Sequence, residues 1–394
     1  MSEAEAPASA PSIWTRRRLA GGVAQAAALA AVALVAWVAA GNLAANLGRL
    51  AVNTGFGFLG RPAGFAISQH LIDYSESSTY LRALEVAVLN TLLLAAVSIV
   101  LATPLGFALG LARRSSNGLL RALAAGYVEL LRNLPLLLQL FFWYFAVLRA
   151  LPAPRASLSL FGVAFLNVRG LILPRPLAGS GFDVVLLGLL LGVGLAVAAV
   201  AWTRRRRVQT GEALAAWIAV PPLLVIPPLV TAAISGPPLL HWELPVLRGF
   251  NFAGGLVVQP EFVAMALALS LYSAAYIAEI VRAGIDAVSR GQVEAARALG
   301  LRSGAINAKI VVPQALRVIV PPLGNEYLRL FRNTTLAAAI GYPDLTLIFA
   351  GTAVNQTAQP VEVMLIVCAC YLAINLAVSA AINAYNRRIG RSYR

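Results

Sequence analysis

An all-α polytopic membrane protein with about eight transmembrane helices is the fold class this sequence predicts, on three observations. Of 394 residues, 59% are hydrophobic and 12% are charged, where an ordinary soluble domain carries about 25% charged residues. Five stretches contain no Asp, Glu, Lys or Arg: Leu19–Gly48, Val86–Ala112, Val184–Thr203, Ala213–Leu240 and Val363–Asn386. Each is long enough to cross a bilayer, which takes roughly 20 apolar residues. The basic residues behind the net charge of +15 cluster at the ends of these stretches, as cytoplasmic flanks of membrane helices do. That placement makes the bilayer, and not nucleic acid, the expected partner of the charge.

The elements follow in chain order. Residues 1–15 are small, polar and Pro-containing, and read as a disordered tail. Arg16, Arg17 and Arg18 precede a first span at about Leu19–Ala40, longer than the 7–15 apolar residues of a cleaved signal and so an uncleaved anchor. The segment Asn42–Glu85 is then expected outside, with a second span, Val86–Ala112, returning to Arg113 and Arg114. A third, about Leu134–Leu148, leaves from Arg132. A fourth, Val184–Trp202, ends at the basic run Arg204–Arg207. The fifth is Ala213–Ile234, the sixth about Glu261–Val281, the seventh about Val318–Tyr342 and the eighth Val361–Tyr385. Both termini are expected in the cytoplasm, because the basic ends then fall inside.

Other features describe packing. Gly106 with Gly110, and Gly188 with Gly192, are small-xxx-small pairs that let helices approach closely. The prolines of "VPPLLVIPPLV" are expected to kink the fifth span. Asn90 and Gln139 are polar positions within spans, suited to interhelical hydrogen bonds. Cys368 and Cys370, two apart on one helix, point away from each other and read as small core residues. His70 and His241 stand outside the spans without a partner at metal-ligand spacing, so no metal site and no catalytic constellation is expected.

One polar stretch interrupts this pattern: "RGQVEAARALGLRSG", Arg290–Gly304. Ser289 with Gln292 has the form of a capping box, and Gly300 stands where a helix C-terminus needs a left-handed residue. A helix of under three turns is therefore expected, followed by a second short one capped by Ser303 and stopping before Pro313. Arg290 and Arg297 lie four before and three after Glu294 and can brace it. Ala295, Ala296, Ala298 and Gly300 leave a low surface that suits insertion into a groove on another protein. An amphipathic interfacial helix would need larger apolar side chains than this one has.

"EAARALGLRSGAINAKIVVP" resembles the EAA loop of bacterial ABC-importer permeases. Glu294-Ala295-Ala296 is followed after three residues by Gly300, after nine more by Ile310 and after two more by Pro313. Val312 stands where Leu is more usual. The flanking "AAYIAEIVRAGIDAVSRGQ" and "VVPQALRVIVPPLGNEYLRLFRNTTLAAAIGYPDL", with the earlier "NTLLLAAVSIVLATPLGFALGL" and "LRNLPLLLQLFFWY", resemble the polar amino-acid branch of that family. The length and layout resemble the long first permease subunit of general L-amino-acid importers.

The resemblance implies a five-helix type I permease core in two parts, 86–151 and 259–394, the second containing the coupling loop 284–313. Residues 1–85 would add a tail, an extra span and an outer segment, and 152–258 an insertion with two spans. It further implies an ATP-driven amino-acid importer of the inner membrane. Its partners would be an ABC ATPase dimer, a second permease subunit (a heterodimer over a homodimer) and a periplasmic amino-acid-binding protein. ATP and Mg are expected in the ATPase partner and no cofactor in this chain, whose sole lysine, Lys309, lies in no G-x-x-x-x-G-K-[ST] motif. Arg290, Gly291, Glu294, Ala295, Ala296, Arg297 and Gly300 would then form the ATPase-coupling element.

Charges inside apolar segments are costly and usually functional or paired. Glu326, Arg329 and Arg332 recur every three residues and are expected on one helical face, beside Asn325, Asn333 and Thr334. That face can either line a solute path, with Arg for a carboxylate and Glu for an ammonium group, or brace two helices. Glu279 and Arg282, at the end of the sixth span, read as a structural pair. An ion-coupled secondary transporter would need inverted repeats, which the sequence does not display; an ABC permease for another small solute keeps the loop and changes the cargo.

Overall fold

Where water is excluded every backbone polar group must bond within its own segment, and the uncharged runs accordingly form long helices. The computed structural model describes residues 13–49, 55–179, 181–210, 216–235 and 240–391. Most of the expected disordered tail, the start of the expected fifth span at 213–215 and the last residues of the basic tail lie outside the described residues. So do the side chains of Arg16, Arg17 and Arg18.

Helix α1 spans Ile13–Arg49, α2 Tyr80–Ala112 and α3 Gly118–Asn133. Helix α4, Leu136–Phe141, runs on as a π-helix over Phe142–Leu148. Next come α5, Phe182–Thr210, α6, Ala216–Ser235, and α7, Pro260–Asp286. The polar elbow holds α8, Arg290–Ala298, and α9, Ser303–Ile306. Helix α10, Val312–Asn333, leads through a 3-10 turn at Thr334–Ile340 and a π-helix at Thr346–Ala353 to α11, Val354–Thr357, and α12, Pro360–Arg391.

Among the described residues five helices are long and apolar enough to span: Gly21–Ala39, Tyr80–Ala112, Phe182–Thr203, Pro260–Asp286 and Pro360–Ala384. A sixth arises if α3 and α4, bent by 104°, form one broken span. Three of the eight expected spans fall outside this set. Leu134 before Pro135 is forced into extended backbone (φ −90°, ψ 129°), so the expected third span is only the second arm of a bent pair. The expected fifth span is described as α6, Ala216–Ser235, with 213–215 outside the described residues. The expected seventh, Val318–Tyr342, carries Glu326, Arg329 and Arg332 on α10, more charge than a wholly lipid-facing helix holds.

Gln139 repairs the bend, its Nε2 donating to Leu131 O at 2.9 Å and Leu134 O at 3.0 Å, carbonyls that the proline leaves free. Asn90 is buried and donates from Nδ2 to Gln69 O and Pro343 O, tying α2 to two loops. The core forms where α2 crosses α7. A Cβ on Gly106 would lie 2.5 Å from Ile277 Cβ, and one on Gly110 2.8 Å from Ala278 O, so only glycine permits this approach. Gly188 and Gly192 do the same for α5 against Thr231 and Leu223 of α6.

Beyond the helical expectation, the segment between α4 and α7 carries eight short strands among the described residues. They are β1 Leu158–Leu160, β2 Ala164–Asn167, β3 Gly170–Leu173, β4 Arg175–Ala178, β5 Leu240–Glu243, β6 Val246–Arg248, β7 Asn251–Ala253 and β8 Leu256–Val258. All pairings are antiparallel: a sheet ordered β1-β2-β3-β8 and the pairs β4-β5 and β6-β7. Strand β8 leads directly into α7, so these strands and α8 lie at opposite ends of that span.

Gly106→Val or Gly110→Val should destabilise the protein by about 1–3 kcal/mol, the usual cost of overpacking a tight contact, seen as a lower melting temperature in detergent. Gly118→Ala, where a Cβ meets nothing within 4 Å, should leave it within about 0.5 kcal/mol.

Candidate functional site

The α7–α8 junction is laced by charge. Arg282 Nη2 pairs with Glu279 Oε1 at 2.5 Å and its Nη1 with Asp286 Oδ2 at 2.8 Å. From the end of α2, Arg113 pairs with Glu279, and Arg114 Nη1 reaches Asp286 Oδ1 at 2.9 Å. The Glu279–Arg282 pair is thus part of a clamp joining α2 to α7 immediately before the elbow.

Helix α8 starts after Ser289, but the Ser289 side chain makes no cap bond. The capping box does not form, because the Gln292 side chain turns to Gln314, with 2.5 Å between Nε2 of Gln314 and Oε1 of Gln292. The C-terminus closes as expected. Gly300 has φ +75°, its N–H bonds to Arg297 O and that of Leu301 to Ala296 O, the paired bonds of a Schellman motif. The following segment differs. Arg302, not Ser303, occupies the cap position without a side-chain bond, and although α9 ends at Ile306 the chain stays helical past it. A π-turn at Asn307–Val311 carries the helix into α10, and Pro313 falls in the first turn of α10, where its missing N–H is harmless.

The residues of α8 divide among three directions. Arg290, Val293, Glu294 and Arg297, at helical spacing, line a cavity of about 550 Å³ that Arg114, Asn307 and Val312 also border. Ala296 is 3% exposed and packs inward, whereas Gly291, Ala295 and Ala298 face out. The small outer surface is therefore narrower than expected. Glu294 makes no ion pair with Arg290 or Arg297 among the described residues; the three share a cavity wall instead.

On α10, Glu326 is 5% exposed and pairs through Oε2 with Arg329 Nη2 at 2.5 Å. Its Oε1 and the Nε of Arg329 are buried without a hydrogen-bond partner, and the Ser273 hydroxyl on α7 lies beside the same carboxylate. Arg332 and Asn325 are exposed, Asn333 is half-buried, and Thr334 is buried with its hydroxyl on Phe331 O at 2.7 Å. The expected single charged face splits, because two steps of three residues rotate Arg332 by about 120° from Glu326. Two tyrosines that sequence reasoning passed over complete the group. The Arg329 guanidinium lies 3.5 Å from the centroid of Tyr276 and 5.7 Å from that of Tyr272, and the two hydroxyls are 3.2 Å apart. Arg132, at the end of α3, lies 5.1 Å from the same Tyr276 ring. Among the described residues no three His, Cys, Asp or Glu side chains form a possible metal site.

Residues 185–391, from α5 to α12 and including the elbow and the charged group, match the family model for the binding-protein-dependent transport system inner membrane component. The chain belongs to this family. It is 48% identical to a protein of Escherichia coli provisionally named an amino-acid ABC transporter permease, over 92% of each chain. It is 44% identical to the general L-amino acid transport system permease protein of Rhizobium johnstonii, over 90% of this chain and 88% of the relative. Identity is 38% to the glutamate/glutamine/aspartate/asparagine transport system permease protein of Rhodobacter capsulatus, over 88% of each.

As an inner-membrane transport component, the chain needs its α2–α7 crossing held firm beside the elbow. Glu279→Gln, which removes the carboxylate shared by Arg113 and Arg282, should lower stability by about 1–2 kcal/mol, less than for a fully buried pair. The exposed Arg82–Glu85 pair supplies the control: Arg82→Ala should shift the melting curve little.

Proposed function

We propose that this permease is a membrane subunit of an ATP-driven importer of L-amino acids, that it forms the translocation path, and that α8 couples it to a separate ATPase. The observation that carries the reading is the elbow: a short helix in EAA spacing, closed by a left-handed glycine, following directly on the ionic clamp between α2 and α7 and presenting Gly291, Ala295 and Ala298 outward. The amino-acid cargo rests on the relatives, which are named for amino acids over nearly their whole length. The partners of this reading are an ABC ATPase dimer that holds ATP and Mg, a second and different permease subunit, and a periplasmic amino-acid-binding protein. Both termini and α8 then face the cytoplasm, and the strands face the periplasm. Glu326 and Arg329, with Asn325, Arg332, Asn333 and Thr334 around them, lie along the solute path.

Arg290, Glu294 and Arg297 act from the cavity side of α8, setting its tilt and giving the ATPase a charged edge, while the small outer face enters the groove. In proteoliposomes holding the full complex, Glu294→Arg should cut solute uptake at least tenfold while binding-protein-stimulated ATPase activity is lost or no longer tied to uptake. Gly300→Val, which puts a β-branched residue at φ +75°, costs about 1–2 kcal/mol within the elbow and should act likewise. Unchanged uptake and ATPase association in both variants would remove α8 from the coupling role.

A further inference from the structure

Helix α7 is 27 residues long, about 40 Å at 1.5 Å per residue, and Tyr272 and Tyr276 fall at its middle. The groups that meet them therefore lie near half-depth of the membrane. There the structure gathers two arginines and one carboxylate. Glu326 is matched by Arg329, but Arg132 makes no ion pair among the described residues. Both guanidinium groups lie against the one Tyr276 ring, at 3.5 and 5.1 Å from its centroid, so their carbons are at most about 9 Å apart. Two like charges so placed repel unless an anion stands between or beside them, and an unmatched cation at membrane depth is costly. The neighbouring polar atoms are also incomplete: Glu326 Oε1 and Arg329 Nε are buried without hydrogen-bond partners, and the Ser273 hydroxyl lies beside the carboxylate. The site has one cation more than it has carboxylates, and buried donors and acceptors alike are left without partners.

We propose that Arg132 and Arg329, held on the Tyr276 ring, form a carboxylate-binding site for the transported solute. Glu326 Oε1 and Ser273 Oγ receive its ammonium group. The proposal rests on the amino-acid reading above and sharpens it, assigning this subunit a preference for acidic and neutral amino acids over cationic ones. Stacking on the tyrosine fixes each guanidinium plane, which leaves in-plane N–H groups for bidentate carboxylate recognition. Arg329 is already engaged by Glu326 and serves every zwitterion. Arg132 is exposed and unpaired, and an additional side-chain carboxylate is its natural partner.

The test is uptake of radiolabelled L-glutamate, L-glutamine and L-arginine by the complete transporter in proteoliposomes, with wild type, Arg132→Gln and Arg132→Lys. Arg132→Gln should raise the KM for glutamate at least tenfold and that for glutamine less than threefold, without loss for arginine, and Arg132→Lys should recover much of the glutamate uptake. A parallel fall for all three solutes, or an unchanged ratio among them, would make Arg132 a structural brace and overturn the assignment. Failure of the wild type to transport any of the three would overturn the amino-acid reading itself, and the assignment with it. Because Arg132 is exposed, misfolding is not expected to mask the result; melting curves of the variants check this directly.

Discussion

The crossing of α2 over α7 is the contact on which the rest of the structure depends. Gly106 and Gly110 remove the side chains that would hold the two backbones apart, and Ile277, Ala278 and Val281 fill the space. In lipid no hydrophobic force draws helices together, so close packing and polar links must do so. At one end of the crossing Arg113, Arg114, Arg282, Glu279 and Asp286 knit the helices into one unit. At the same end the chain turns into α8. Force applied to α8 is thus delivered to a rigid pair and not to a flexible loop.

The polar groups follow one logic along α7. Near its start Tyr144 donates to Glu261 Oε1 at 2.7 Å, at its middle Tyr272 and Tyr276 hold Arg329, and at its end lies the ionic clamp. Buried polar groups are tolerated in such a chain only where each finds a partner. The outer clusters satisfy this requirement internally. The middle cluster does not, and that difference is the basis for proposing it as the solute site.

Much of this was legible in the sequence, for identifiable reasons. Long uncharged runs can only be helices in a membrane, so α2, α5 and α12 were plain from composition. Gly300 at the end of a polar helical stretch announced its left-handed turn, and the paired glycines announced close approach. Other features depend on tertiary context. Strands of three or four residues are too short for alternation to distinguish them from loop. The bend at Pro135 turned an apparent span into half of one. Ser289 and Gln292 have the spacing of a capping box, yet Gln314 competes for the glutamine side chain. A three-residue repeat read as one face placed Arg332 with Glu326 when helix geometry rotates it away. Tyr272 and Tyr276 were visible at helical spacing but carried no charge, and only the fold brings Arg132 to them from a distant segment.

The central claim is that α8 presents its small face to an ATPase while its opposite side stays against the permease. Site-specific disulfide crosslinking tests this most directly, in a background with Cys368 and Cys370 replaced and single cysteines at Ala295 or Ala296. A cysteine at the outward position 295 should crosslink to the ATPase subunit in the assembled transporter, and one at the buried position 296 should not. Equal crosslinking from both positions, or none from 295 in an intact and transporting complex, would contradict the account.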